Sequence, residues 1–242
     1  MMNNMPPITK NLLIINVLCF FGAIVAQRYG IDSDSILGLH YFSSSNFNMG
    51  QFITYMFMHA NFQHIFFNMF ALWMFGRVLE QVWGPKRFLT YYMICGIGAA
   101  LIQEGVMALQ YTSLTSHMVP DAVDLVFREG ADILGEHKNY VDTSLAELNL
   151  LLNTPTVGAS GAVFGILLAF GMLFPNSEMF IFPLPFPIKA KYFVILYAVL
   201  EFILGVSAND NVAHFAHLGG MIFGFFLIIY WKKKYGSGQN FY

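Results

Sequence analysis

Charge is what this chain has least of. Only 11% of its 242 residues are Asp, Glu, Lys or Arg, against about 25% in ordinary soluble domains. That is too little polar side chain to coat a water-soluble globule. There is no basic excess either: 12 Lys and Arg stand against 14 Asp and Glu, so no footprint for a phosphate backbone exists and a nucleic-acid binder is excluded. Cysteine is equally scarce. Cys19 and Cys95 both fall in apolar stretches, where a thiol acts as a small hydrophobe, and two such residues exclude a disulfide-stapled secreted scaffold. The aliphatic content excludes a disordered chain, and no internal repeat is visible. Met1 to Lys10 is short and polar, and no small-residue cleavage site follows it. It reads as the lead-in to a retained first span rather than a removed signal peptide.

What is present is apolar bulk. Hydrophobic residues make up 57% of the chain, with 26 Phe and 14 Met, and the mean hydropathy is +0.57. The apolar residues gather into six runs, approximately Leu12–Gln27, Phe52–Phe75, Phe88–Leu109, Val157–Phe174, Tyr192–Val206 and Ala213–Trp231. A helical span needs roughly 17–25 residues at 1.5 Å rise each, so the runs predict an all-α membrane protein with a six-transmembrane-helix bundle. They are continuous rather than alternating, which argues against a β-barrel. Nine of the twelve basic residues, Lys10, Arg77, Lys86, Arg87, Lys189, Lys191, Lys232, Lys233 and Lys234, fall on one side of such a bundle. By the positive-inside rule that side is cytoplasmic and carries both termini. Residues 1–235 are expected to form one transmembrane domain and 236–242 a flexible tail. No seventh span or targeting segment is evident, so a bacterial plasma membrane is the simplest location, with any site in the outer half opening to the extracytoplasmic side.

The third and fourth runs are joined by a long acidic stretch, 110–156, which reads as a folded outside insertion against the bundle or the lipid headgroups. Asp121–Phe127 and Ser144–Leu152 have the spacing of short amphipathic helices, Leu145, Leu148 and Leu152 sharing a face. Pro183, Pro185 and Pro187 predict a stiff, extended connection between the fourth and fifth runs.

Strongly polar side chains are expensive in hydrocarbon, so each is a functional hypothesis. Gly158-Ala159-Ser160-Gly161 opens the fourth run, with Gly165 one turn on. Two readings compete for it. One is a small-residue packing seam with an incidental capping serine. The other is a nucleophile whose oxyanion would be stabilised by the free amides at a helix start. The sixth run favours the second. His217, Gly220 and Gly224 share a helix face, so two glycine-faced helices could pack closely and bring Ser160 within reach of an imidazole base. A lone histidine there could equally be a satisfied core residue or line a proton path. His214 is an alternative base, or a neighbour that orients or hydrates the site. On the second run His64 and Asn68 stack at i and i+4 and could both donate to an oxyanion, or form a structural polar pair. His59 fits a role in tying down the outer loop. No carboxylate occurs in the fourth or sixth run, and a Ser-His-acid triad would need Glu201 or Asp210 to reach the imidazole. A two-residue Ser160–His217 dyad is the expectation.

This constellation resembles the rhomboid intramembrane serine proteases. The resemblance rests on three motifs in order: His64-x-x-x-Asn68, Gly158-Ala159-Ser160-Gly161, and Ala216-His217-Leu218-Gly219-Gly220 with Gly224. Glu80 and Gly84 are similar to a turn that family keeps after its second span. The resemblance implies a rhomboid-like bundle with Ser160 as nucleophile and His217 as base and acid. It implies an oxyanion hole of His64, Asn68 and the Ser160 amide, and supporting roles for Gly158, Gly161, Gly165, Gly220, Gly224, Phe164 and His214. The reaction implied is hydrolysis of a peptide bond in or near a transmembrane helix of a membrane-protein substrate, through an acyl-enzyme. No metal or organic cofactor is implied, and the partners are such substrates and the lipid bilayer. The substrate helix would approach between spans two and five. This chain departs from the family where many members carry Trp-Arg in the first loop and it has Gly50-Gln51, so that loop is expected to be anchored through Phe42, Phe47 or Phe52. It also has Phe164 where many have Tyr. Phe164 can stack on the imidazole but not hydrogen-bond.

Two other classes remain open to the sequence. A catalytically inactive relative would bind or extract membrane helices without cutting them. A small transporter or proton channel would relay protons through His64, Glu201 and His214, and would call for polar residues spread through the bilayer depth with inverted repeats.

Overall fold

An unbroken helix from Phe62 to Thr115 would be about 81 Å long at 1.5 Å per residue, far beyond the roughly 30 Å of a bilayer core. The chain breaks it at Gly84. In the computed structural model, which describes residues 5–180, 186–207 and 212–236, Gly84 has φ 76° and ψ 166°, a conformation open to glycine at no steric penalty. Pro85 follows, with its φ already set for a first helical turn. The two halves then lie against each other. The Trp83 and Tyr91 rings are 4.9 Å apart, and a Cβ built on Gly76 would lie 3.1 Å from the Phe88 ring.

Ten helices account for most of the described chain. They are α1 (Pro7–Arg28), α2 (Ser33–Leu37), α3 (Gln51–Thr54), α4 (Phe62–Ala71), α5 (Arg77–Thr115, broken at Gly84), α6 (Pro120–Gly135), α7 (Thr143–Asn153), α8 (Ser160–Leu173), α9 (Ala190–Ser207) and α10 (His214–Tyr235). A π turn over Leu72–Gly76 joins α4 to α5. Four helical stretches are long and apolar enough to cross a membrane by length and composition: Pro7–Arg28, Phe62–Thr115, Ala190–Ser207 and His214–Tyr235. Ser160–Leu173 is apolar but shorter.

The second helix corrects the sequence expectation. Phe52–Phe57 is apolar because Tyr55 and Met56 enter the core, 2% and 0% exposed, and not because it is the start of a span. Helix α4 begins at Phe62, where extended Asn61 accepts the His64 amide on its side chain. That cap satisfies an orphan N–H and sets the start more firmly than hydrophobicity does.

Between the third and fourth runs, α6 and α7 form the expected folded insertion. Both are longer than the amphipathic stretches suggested. Val126, Leu148 and Leu152 make a second core with Tyr41 and Met107, so the pair is fastened to the far end of α5. Past α8 the chain forms a small antiparallel pair, β1 (Glu178–Met179) and β2 (Ile188–Lys189), which the proline-based expectation of a simple extended link did not include. Pro187 lies just before β2, whereas Pro183, Pro185, Asp210 and the tail from 237 lie outside the described residues.

Helix α8 is the hub. Ten of its fourteen residues are buried, as suits a helix that is apolar all round, and it packs against α5, α9 and α10. Its contact with α10 is backbone on backbone: a Cβ on Gly220 would collide with the carbonyl of Gly161. Gly165 meets Cys95 of α5 and the Gly220 carbonyl. Gly224 faces the Tyr91 hydroxyl and Cys95 rather than α8, so the expected four-glycine seam is shared with α5. Helix α9 is loosely held by comparison, with only Ala190, Val194 and Glu201 buried.

The start of α1 is held by one side chain. Glu80, 2% exposed, accepts the Ile8 amide at 2.9 Å, the Thr9 amide at 2.7 Å and the Thr9 hydroxyl at 2.8 Å. A carboxylate there answers both the orphan donors and the positive end of the helix dipole.

Two predictions follow from these contacts. Gly220→Ala has only backbone to push against, so it should destabilise the detergent-solubilised protein by about 1–3 kcal/mol. Gly22→Ala, with no atom within 4 Å of the new Cβ, should leave the melting temperature nearly unchanged. Equal melting temperatures for both variants would contradict the close approach. The second concerns His59, which is buried between α3 and α4, with its ring 5.1 Å from that of His64. Burial and the neighbouring imidazole push its pKa down to about 4. The unfolded histidine, near 6.5, therefore takes up a proton first as pH falls. His59's contribution to stability is complete above about pH 6.5 and is lost progressively towards pH 4. Thermal melts between pH 7 and 4 should show a smaller decline in His59→Gln than in wild type.

Candidate active site

The approach to α8 is dictated by one glycine. Gly158 has φ 131°, a region unfavourable to any side chain, and its amide donates to the Tyr55 carbonyl at 2.9 Å. A Cβ there would lie 2.7 Å from His64 Nε2 and 3.4 Å from Ser160 Oγ. The missing side chain is what lets His64 and Ser160 flank this point. Ser160 follows as the first residue of α8, where the first-turn amides have no intrahelical partner.

His217 is in the first turn of α10, and its Nε2 lies 2.8 Å from Ser160 Oγ. Two helix N-termini thus meet, one carrying a hydroxyl and the other an imidazole. The ring is held flat by Phe164, centroids 4.2 Å apart and planes within 5°. Phe164 stacks in turn on Tyr197 at 5.1 Å. Phe164 therefore stacks as expected, and the expected juxtaposition of Ser160 with His217 is present.

The expectation that no carboxylate reaches the imidazole is not met. Glu201 Oε2 lies 2.8 Å from His217 Nδ1 and 2.7 Å from His214 Nδ1. The side chains are 7% exposed for Glu201, 12% for His217 and 7% for His214. Each Nδ1–H can donate to the carboxylate, which leaves the Nε2 lone pair of His217 facing the serine hydroxyl. Glu201 comes from α9, sixteen residues before His217, so no local spacing announced it. A lone carboxylate in an apolar helix was the only signal. His214 belongs to this cluster as the second donor on Glu201, not as a base on Ser160.

Glu201, His214 and His217 also place three ligand atoms within 4.8 Å of one another. Their oxygen–nitrogen separations are those of hydrogen bonds, shorter than the roughly 3.3 Å edge of a tetrahedral zinc site built from bonds of about 2.05 Å.

Across the site from α10, His64 presents its ring towards Gly158 and Ser160. Asn68, 6% exposed, donates one amide hydrogen to the His64 carbonyl at 3.0 Å. A primary amide has a second N–H to offer. The two residues are linked as their i, i+4 spacing implied.

The loop before α4 is anchored in part as expected: Phe42 is 53% exposed, whereas Phe47 and Phe52 pack against the core and meet edge-on at 6.1 Å. A polar anchor that was not expected is Gln51, 3% exposed. Its Oε1 accepts the His40 and Asn48 amides at 3.2 Å each, and its Nε2 donates to the Ile36 and Asn46 carbonyls at 3.2 and 2.9 Å. Glu104 adds a bond from the Phe42 amide at 2.9 Å. One neutral amide thus satisfies four backbone groups of an irregular segment, a role that its sequence position alone did not reveal.

Comparison with known proteins agrees with this architecture. The family model described as the Rhomboid domain matches residues 46–234. An uncharacterized mitochondrial rhomboid protein of Schizosaccharomyces pombe is 25% identical over 258 residues, covering 92% of this chain and 66% of its own length. The mitochondrial Rhomboid protein 1 of Saccharomyces cerevisiae is 28% identical over 169 residues, covering 69% of this chain and 38% of its own. The rhomboid protease AarA of Providencia stuartii is 27% identical over 225 residues, covering 90% and 69%. This chain therefore spans about two thirds or less of the two fungal relatives. These relatives are mitochondrial as well as bacterial, so the bacterial plasma membrane expected from the sequence gains no support, and the shared statement is an integral membrane protein. With the family domain covering most of its length, this chain belongs to the rhomboid family, whose relatives include named proteases.

Proposed function

We propose that this chain is an intramembrane serine endopeptidase that cuts peptide bonds in or near the transmembrane helices of membrane-protein substrates. The observation that carries the reading is the 2.8 Å contact between Ser160 Oγ and His217 Nε2, at a part-buried position. A serine hydroxyl is too weak an acid to act alone at neutral pH, and a neutral imidazole lone pair at hydrogen-bond distance supplies the base.

Ser160 Oγ forms a bond to the scissile carbonyl carbon as its proton passes to His217 Nε2. The carbonyl π pair moves onto oxygen, where the Ser160 amide, the free N–H of Asn68 and the His64 side chain can donate. Collapse breaks the C–N bond, and the leaving amine carries away the proton from Nε2. Water then attacks the acyl-enzyme, again with Nε2 as base, to release the acid and restore Ser160.

Topology supports this chemistry in a bilayer. In this reading the Gly84 break counts as a turn and α8 as a span, six in all, and the cluster of basic residues supports cytoplasmic termini. At about 21 Å, α8 is shorter than the hydrocarbon core, which supports a Ser160 set below the outer surface and reached by water from the extracytoplasmic side. Helices α4 and α9, which carry His64, Asn68 and Glu201, present mostly exposed apolar faces, which suits lateral approach of a substrate helix. The insertion 110–156 is then an outside element of the same domain.

The test is a reporter protein with one transmembrane helix, incubated in micelles with each purified variant. Wild type should release two fragments. Ser160→Ala and His217→Ala should lower the rate by at least about 10³-fold, and Asn68→Ala by about 10²-fold. Equal product from wild type and Ser160→Ala would exclude the nucleophile. Absence of product from wild type on a panel of such reporters would favour a family member that binds helices without cutting them.

A further inference from the structure

Glu201 is buried against His217, and the two-residue chemistry gives it no task. We propose that Glu201 is a positioning residue: its carboxylate holds the His217 ring in the tautomer that can accept the Ser160 proton, and His214 fixes the carboxylate. This inference rests on the serine-hydrolase reading above and adds a third member to its machinery.

Helix α9 buries only three residues, and two of them, Ala190 and Val194, are small and apolar. A carboxylate in the third position is costly in hydrocarbon unless it is paired. It is paired twice through the same atom. Oε2 lies 2.7 Å from His214 Nδ1 and 2.8 Å from His217 Nδ1, the two rings coming from one face of α10 at i and i+3 with planes 89° apart. A carboxylate oxygen has two lone-pair directions and no proton to give, so both imidazoles must carry hydrogen on Nδ1 to satisfy it.

For His214 this fixes the donor. For His217 it also decides chemistry. An imidazole protonated at Nε2 would meet the Ser160 hydroxyl with a hydrogen in the place where the serine proton has to go. The Nδ1–H form presents the lone pair instead. When His217 takes the Ser160 proton, the resulting imidazolium lies beside the ionised Glu201, while Phe164 keeps the ring plane from turning. No proton passes to Glu201 in this scheme. The carboxylate orients and compensates charge, as the acid of a Ser-His-Asp triad does.

A merely structural Glu201, fastening α9 to α10, would give the same static contacts, so the test separates the two roles. The full chain is purified with Glu201→Gln, Glu201→Leu and His214→Asn, and the transmembrane reporter is cleaved under saturating and subsaturating conditions. Positioning predicts that Glu201→Leu lowers kcat by about 10²–10⁴-fold, with KM within about twofold of wild type. Glu201→Gln can still present an oxygen and should lose less, and His214→Asn less again. In parallel, proton NMR of histidine-labelled Ser160→Ala protein should show a far-downfield Nδ1 proton of His217 that disappears in Glu201→Leu. That signal does not depend on turnover.

Unchanged kcat in both Glu201 variants would overturn the proposal while leaving the protease reading intact. So would a loss confined to KM and melting temperature, or an Nδ1 proton that persists without Glu201. Conversely, a Glu201-dependent Nδ1 proton in a chain that cleaves no reporter would uphold the positioning and sink the protease reading.

Discussion

Helices α8 and α10 touch backbone to backbone where Gly220 meets the Gly161 carbonyl, and the rest of the site depends on that contact. Ser160 is the residue before Gly161, and His217 is one turn before Gly220. The depth of this one approach therefore sets the separation of hydroxyl and imidazole. In a lipid-facing bundle there is little hydrophobic drive to press helices together, and small residues that admit close packing take its place. Larger residues at the seam would move the helix axes apart, and reacting groups displaced by about 1 Å lose much of their advantage.

A second theme is economy of polar groups. The chain has few charges, and three of its buried polar side chains, Glu80, Gln51 and Glu201, each satisfy several backbone or ring groups. Glu80 receives three hydrogen bonds at the start of α1. Gln51 binds four backbone groups of the first loop, and Glu201 joins two histidines. Each lies where regular hydrogen bonding ends: at a helix start, in an irregular segment, or between the ends of two helices. In an apolar protein an unpaired group at such a point is costly. One well-placed side chain removes several such costs and leaves the glycine-lined seam free to set the geometry.

Much of this was legible in the sequence, because apolar length and local spacing are one-dimensional signals. Ser160 at a glycine-flanked helix start, His217 in register with Gly220, and the stacked His64 and Asn68 could be read from intervals of three and four. What escaped depends on contacts between distant segments. Glu201 reaches His217 only because α9 packs beside α10. Gln51 looks like any polar residue until the loop closes around it. The start of the second helix was misplaced because Phe52–Phe57 is apolar for the sake of the protein core, and because the Asn61 cap competes with hydrophobicity over only a few residues. Gly224 was assigned to the wrong neighbour, since helix periodicity gives a face but not the partner that fills it.

The central claim is that Ser160 is made nucleophilic by His217. Its most direct measurement is mass spectrometry of the purified membrane protein after reaction with a fluorophosphonate, which captures an activated serine regardless of the natural substrate. The account predicts a single covalent adduct on Ser160 that vanishes in His217→Ala while that variant still melts cooperatively. An adduct that forms equally well without the imidazole, or none on Ser160 in the wild-type protein, would contradict it.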